Sequence, residues 1–219
     1  VDALWGAAAG LSGVLGLGML YRGLARSAAA VVSPTAALVG TAAPILAGVL
    51  MGEAPALTSW VGIGLAVPAI LMLSLARDRS HTVDRVSLLS GLIAGLGFGG
   101  FFIFIDQTAV DSGFWPLVAS RVASIVTVIV VARLTRQSLV LSGRSARPAT
   151  LAGLLDMAAN VFFLVAARLG MLVTSAVVSS LYPAPTVVLA RILDDEHLGP
   201  RRIAGLVLAL AGVALMAVA

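Results

Sequence analysis

The sequence predicts an all-α integral membrane protein of about eight transmembrane helices, and three observations carry that expectation. The 219 residues are 60% hydrophobic and 11% charged, with a mean hydropathy of +1.08, outside the range of an ordinary soluble domain. Eight apolar runs, at roughly 4–21, 28–50, 57–75, 86–106, 114–133, 149–167, 171–192 and 202–219, each approach the ~20 residues that cross a hydrocarbon core. None shows the strict apolar/polar alternation that lipid-facing strands of ~10 residues require, which excludes a β-barrel.

Each run has its own signature. The first carries Gly10, Gly13, Gly16 and Gly18 and the fourth Gly91, Gly95, Gly97, Gly99 and Gly100. These small-residue ridges suit close helix packing; no strand precedes them, so they are not a phosphate loop. The second holds Pro34 and Pro44, and the seventh Pro183 and Pro185. A proline frees a backbone carbonyl inside a membrane helix, which serves either a gating kink or a static packing kink. The fifth contains Arg121, and the sixth contains Asp156 and Asn160. The third and eighth are apolar apart from hydroxyl groups and the arginines at the start of the last. With short connections throughout, the whole chain reads as one helical bundle, leaving no room for an extramembrane catalytic domain.

There is no cysteine, so disulfides, thiolate nucleophiles and cysteine metal sites are out. His81 and His197 lie in polar connections without a second ligand at metal spacing, and neither a metal nor a cofactor is expected. All basic residues are arginine, a bias that fits a GC-rich bacterium. Alternating the connections between two faces puts twelve arginines on one face and Arg168 alone on the other. The arginine-rich face is then cytoplasmic by the positive-inside rule, in a bacterial inner membrane, and Trp5, Trp60 and Trp115 mark the opposite interface. The basic balance is thus a topology signal and not a nucleic-acid footprint.

A shift of 143 residues lays runs two and three on runs seven and eight. It matches Leu38, Leu46, Ala47, Leu50, Glu53, Gly62, Leu65 and Ala66 with Leu181, Leu189, Ala190, Leu193, Glu196, Gly205, Leu208 and Ala209. The distinctive element is a Glu at a helix end and a Gly nine residues on, at Glu53 and Gly62 and again at Glu196 and Gly205. Equivalent helices are five apart, an odd number, so the copies run in opposite directions across the membrane as an inverted repeat. The expected organisation is 1–75 as the last three helices of a first repeat, 76–85 as linker and 86–219 as a complete second repeat of five. Two helices are then expected before Val1, giving a ten-helix fold of two inverted five-helix repeats.

Several of these residues resemble the EamA type of the drug/metabolite transporter superfamily. The resembling elements are Y-R-G-L-A-R at Tyr21 to Arg26, L-M-G-E at Leu50 to Glu53, S-S-L-Y-P-A at Ser179 to Ala184, and D-D-E-H-L at Asp194 to Leu198, with Arg121 matching an arginine of a second repeat helix. Asp195 and His197 stand where that family commonly has Gly and Arg. The resemblance implies two five-helix inverted repeats around a central cavity, transport of a small molecule, and both chain ends in the cytoplasm. The arginine count instead puts Ala219 on the far face, and both orientations stay open.

Charges inside apolar runs are costly and mark candidate sites. Arg121 lies about seven residues and Asp156 about eleven residues from the tryptophan face, an axial offset near 6 Å at ~1.5 Å per residue. One alternative is a charge pair facing the bundle interior, displaced by substrate or proton; the other has Arg121 snorkelling to Asp106 or Asp111. Asn160, one turn from Asp156, extends a polar stripe that either faces a cavity or bonds another helix. Ser175, Ser179 and Tyr182 fall near one face of run seven. Candidate substrate or coupling residues are therefore Arg121, Asp156, Asn160, Ser179 and Tyr182, with Glu53, Gly62, Pro183, Glu196 and Gly205 as structural motif residues. Glu53 and Glu196 are expected to cap the helix that follows each. The expected partners are the lipid bilayer and a small-molecule substrate, with a homodimer left open. The expected function is a secondary carrier by alternating access, not an enzyme; the alternative is a membrane-embedded accessory subunit, or a fragment needing partner helices.

Overall fold

A computed structural model of the chain describes residues 1–25, 29–74, 85–139, 143–182 and 199–218, together with 184, 185, 188 and 192. Every regular element among the described residues is helical: α1 (Asp2–Leu24), α2 (Ala29–Leu50), α3 (Leu57–Ser74), α4 (Arg85–Asp106), α5 (Trp115–Leu134), α6 (Gly143–Leu169), α7 (Leu172–Ser180) and α8 (Pro200–Ala217), with a 3₁₀ turn at Val110–Ser112. Six of these are long and apolar enough to cross a membrane, and the apolar part of α3, Leu57–Leu73, is slightly shorter.

Two boundaries differ from the hydropathy pattern. Helix α6 starts at Gly143, six residues before the apolar run, and takes Pro148 within it. Hydropathy marks only the stretch that lipid must solvate, while hydrogen bonding carries the helix on into polar sequence. The seventh run was expected to span 171–192 with a kink at Pro183 and Pro185; α7 closes at Ser180, Leu181 and Tyr182 form a turn, and residues 184, 185, 188 and 192 are again helical. Pro183, which would explain a break there, lies outside the described residues, as does Glu196.

Glycines set the closest helix approaches. A Cβ on Gly6 or Gly10 of α1 would overlap the backbone of Pro116 or Ser120, so only glycine lets α5 lie this near. Helix α4 uses two faces: Gly97 and Gly100 meet α1, where the Ser12 hydroxyl also donates to Gly97 O at 2.8 Å, and Gly91, Gly95 and Gly99 meet α2. The expected ridges thus have identified partners, except Gly18, which has open space beside it. Helices α3 and α8 pair in the same manner, Gly62 against Gly212 O and Gly212 against Gly62 O, with Met216 beside Gly62 and Leu73 beside Gly205.

The buried apolar side chains form two clusters. One unites α2, α3, α7 and α8 around Ile70, Val173 and Val177. The other joins α1, α4, α5, α6 and α7 through Ala9, Ile105, Leu117, Phe163, Leu164, Leu172 and Ala176. This second cluster fills the half of the bundle nearest Trp5 and Trp115, where Trp5 stacks on Phe104 at 5.9 Å and Phe102 lies 4.4 Å from Phe163 between ring centroids.

Candidate substrate cavity

In the other half, toward the arginine-rich ends of the helices, side chains from α1, α2, α4, α5, α6 and α7 enclose a cavity of about 690 Å³. Its lining runs from Phe101, Phe102 and Gly10 near mid-bundle to Leu20, Ile129 and Leu139 at the arginine-rich end. The packed aromatic and aliphatic layer just described closes it toward the tryptophan face. Arg121, Asp156, Asn160, Ser179 and Tyr182 all line this one space.

Arg121 is the seventh residue of α5 and points across to α6, where its Nη2 donates to Asp156 Oδ2 in an ion pair and its Nε lies 3.4 Å from Met157 Sδ. The side chains are 38% and 58% exposed, so the pair sits on the cavity wall and not in sealed core. The interior pairing is therefore the arrangement present; Arg121 does not turn back to Asp106 or Asp111. These contacts bridge α5 and α6, which otherwise hardly touch.

Asn160 donates from Nδ2 to the Asp156 carbonyl at 2.8 Å, within its own helix. That bond lies within α6 and does not tie it to a neighbour, while the residue lines the cavity. Ser179 and Tyr182 reach the cavity because α7 ends beside it. Ser175, from the same expected face, is buried instead.

Three lining hydroxyls escaped the sequence pattern. Ser120 and Ser124 stand on α5 beside Arg121, and Ser124 donates to Ser120 O at 2.8 Å. Buried Ser180 donates to Ala176 O at 2.8 Å. Serines are common in membrane helices, and the one signal available was the i, i+4 spacing of Ser120 and Ser124 beside Arg121, which Ser180 lacks. Phe98, Phe101 and Phe102 supply the apolar wall.

Glu53 lies away from the cavity, at the tryptophan face. It caps a helix as expected, but the partner differs: its Oε1 and Oε2 accept the N–H groups of Leu172 and Val173 at 2.6 and 2.9 Å, at the start of α7 and not of the following α3. Sequence distance hid this partner, because a capping motif is usually sought within one turn. Also at that face, Arg168 holds the α4–α5 connection. Its guanidinium donates to Gly113 O at 2.7 Å, Ala109 O at 2.9 Å and Ser112 Oγ at 3.0 Å.

No curated protein matches the chain. Residues 85–218, more than half of the chain, match the EamA-like transporter family. With multiple apolar helices around a polar-lined cavity and that match, the chain belongs to the EamA-like transporter family, a family of multi-span membrane transporters.

Proposed function

We propose that the chain is a secondary carrier that moves a small amphipathic metabolite or drug-like compound across a bacterial inner membrane by alternating access, without a cofactor or an enzymatic step. The observation that carries this is the Arg121–Asp156 pair on the cavity wall. A substrate group or proton that takes one partner leaves the other charge uncompensated, so binding is coupled to rearrangement of α5 against α6. The lining supports an amphipathic substrate: Asn160, Ser179 and Tyr182 contribute polar groups, and Phe98, Phe101 and Phe102 contribute apolar surface. The cavity lies within one chain, so the proposal holds for a monomer or a homodimer.

The proposed architecture is a pair of inverted repeats, 1–75 and 86–219 joined by a linker. Helices α3 and α8 support it: Gly62 packs on Met216 and Gly205 on Leu73, and the shift of 143 residues turns each contact into the other. A second reading, an accessory subunit, rests on the sparse packing of α6, which among the described residues meets α7 and α4 only lightly.

Flux from proteoliposomes, measured with a panel of amphipathic amines, acids and zwitterions, tests both. Flux by the chain alone excludes the accessory role. Asp156→Asn and Arg121→Ala are each expected to lower that flux by about 100-fold, as loss of a paired intramembrane charge implies. Flux equal to the parent in both variants would remove the pair from the mechanism.

A further inference from the structure

The turn after α2 is built to aim one carboxylate. Gly52 adopts φ 95°, in the left-handed region that favours glycine. Its N–H donates to Val49 O at 3.1 Å, and the Glu53 N–H donates to Gly48 O at 2.9 Å. These two bonds close the helix as a Schellman motif. The reversal folds the Glu53 side chain back over Gly48, where a Cβ would come within 2.6 Å of Oε2. From there the carboxylate reaches the first two N–H groups of α7, a helix without a side-chain cap of its own. An anion at this end also meets the positive pole of the helix dipole.

The two helices joined in this manner are both cavity walls. Helix α2 contributes Ala36, Ala37 and Gly40, and α7 brings Ser179, Ser180 and Tyr182 from its other end. The cap lies on the side where the bundle is shut, beside buried Leu172 and Val173. The carboxylate spans the seam between α2 and α7 at that face, so a path opened along this seam has to break both of its bonds.

We infer that Glu53 is the catch of the tryptophan-face gate. It holds the start of α7 to α2 while the cavity lies toward the arginine-rich face, and both N–H groups leave the carboxylate when the opposite face opens. This rests on the carrier function proposed above. Glu53 is a positioning residue, since it is remote from the cavity lining. Losing the cap removes stabilisation from one conformation only, and so shifts the population of the two.

The chain has no cysteine, so a single Ser124→Cys reports on the cavity without background labelling. The full chain carrying it is reconstituted in oriented vesicles, and a membrane-impermeant maleimide is added to either face. Glu53→Gln is expected to raise the tryptophan-face labelling rate relative to the arginine-face rate by about tenfold, the scale of one charge-assisted cap. Glu53→Asp, which keeps the charge and shortens the reach, is expected to fall between. A merely structural cap would lower the melting temperature and leave the ratio alone. Labelling from both faces with a ratio indifferent to position 53 overturns the catch and leaves alternating access standing. If Glu53→Gln does not assemble, an unchanged ratio in Glu53→Asp overturns it equally. Labelling from the arginine face alone in every variant, including one with Phe102→Ala thinning the plug, overturns alternating access itself and the catch with it.

Discussion

The two halves of the bundle are held by different means. Toward the tryptophan face, side chains cross between elements to bond backbone groups: Glu53 to α7, Arg168 to residues 109 and 113, and Asp2 Oδ1 accepting the Ala109 N–H at 3.0 Å. Toward the arginine-rich face, Thr and Ser hydroxyls mostly bond within their own helix, as at Thr35, Thr127 and Thr135. Among the described residues, one half is stitched by side chain to backbone bonds between elements, and the other surrounds the cavity and is crossed by the Arg121–Asp156 pair. The difference teaches what each half must exchange to move: backbone caps at the tryptophan face, and the ion pair at the cavity.

The largest effect should come from disturbing the packed half. Gly6→Ala forces a Cβ into the Pro116 backbone and is expected to destabilise by about 3 kcal/mol in a detergent unfolding titration, the upper range for overpacking. Gly18→Ala, beside open space in the cavity half, is expected to change stability by less than about 0.5 kcal/mol. Equal losses at the two positions would erase the distinction between the halves.

Next in size is Arg168→Ala, which strips its donors from Gly113, Ala109 and Ser112. A loss of about 2 kcal/mol is expected, with faster amide exchange confined to residues 108–113. Exchange that quickens throughout α5 and α6 instead would mean the residue supports more than one connection.

The smallest stability change should be at Asn160→Ala, since its amide bonds only to its own helix. Unfolding is expected to move by less than about 0.5 kcal/mol, while proteoliposome flux falls several-fold through loss of a cavity polar group. Unchanged flux would take Asn160 out of the binding arc.

The apolar runs were legible because lipid imposes a length and a composition that few other environments demand, and glycine ridges were legible because their spacing follows the helix period. The Arg121–Asp156 pair could be placed by depth alone, since both charges stand out against apolar sequence. What the sequence hid was of three kinds. The prolines at 183 and 185 marked a kink in the seventh run, but not that α7 closes before them at Ser180. The partner of Glu53 is set by the tertiary fold, 119 residues away at Leu172, where no local rule reaches. Ser120, Ser124 and Ser180 were hidden for a third reason, that a serine in an apolar helix looks the same in sequence whether it faces a cavity, a neighbouring helix or lipid.

The one-sided position of the cavity has an electrical consequence. Water that enters the space from the arginine-rich end brings the potential of that compartment to the middle of the bundle, to the level of Phe101 and Phe102. The membrane voltage then drops mainly across the packed layer of Phe163, Leu164 and Leu172, a fraction of the full thickness. On the proposed carrier function, a charged substrate crossing that layer would feel most of the field over a short distance, about 2.3 kcal/mol per charge for each 100 mV. Its entry into the cavity is then expected to be nearly voltage-independent, and its passage through the packed half to be the electrogenic step.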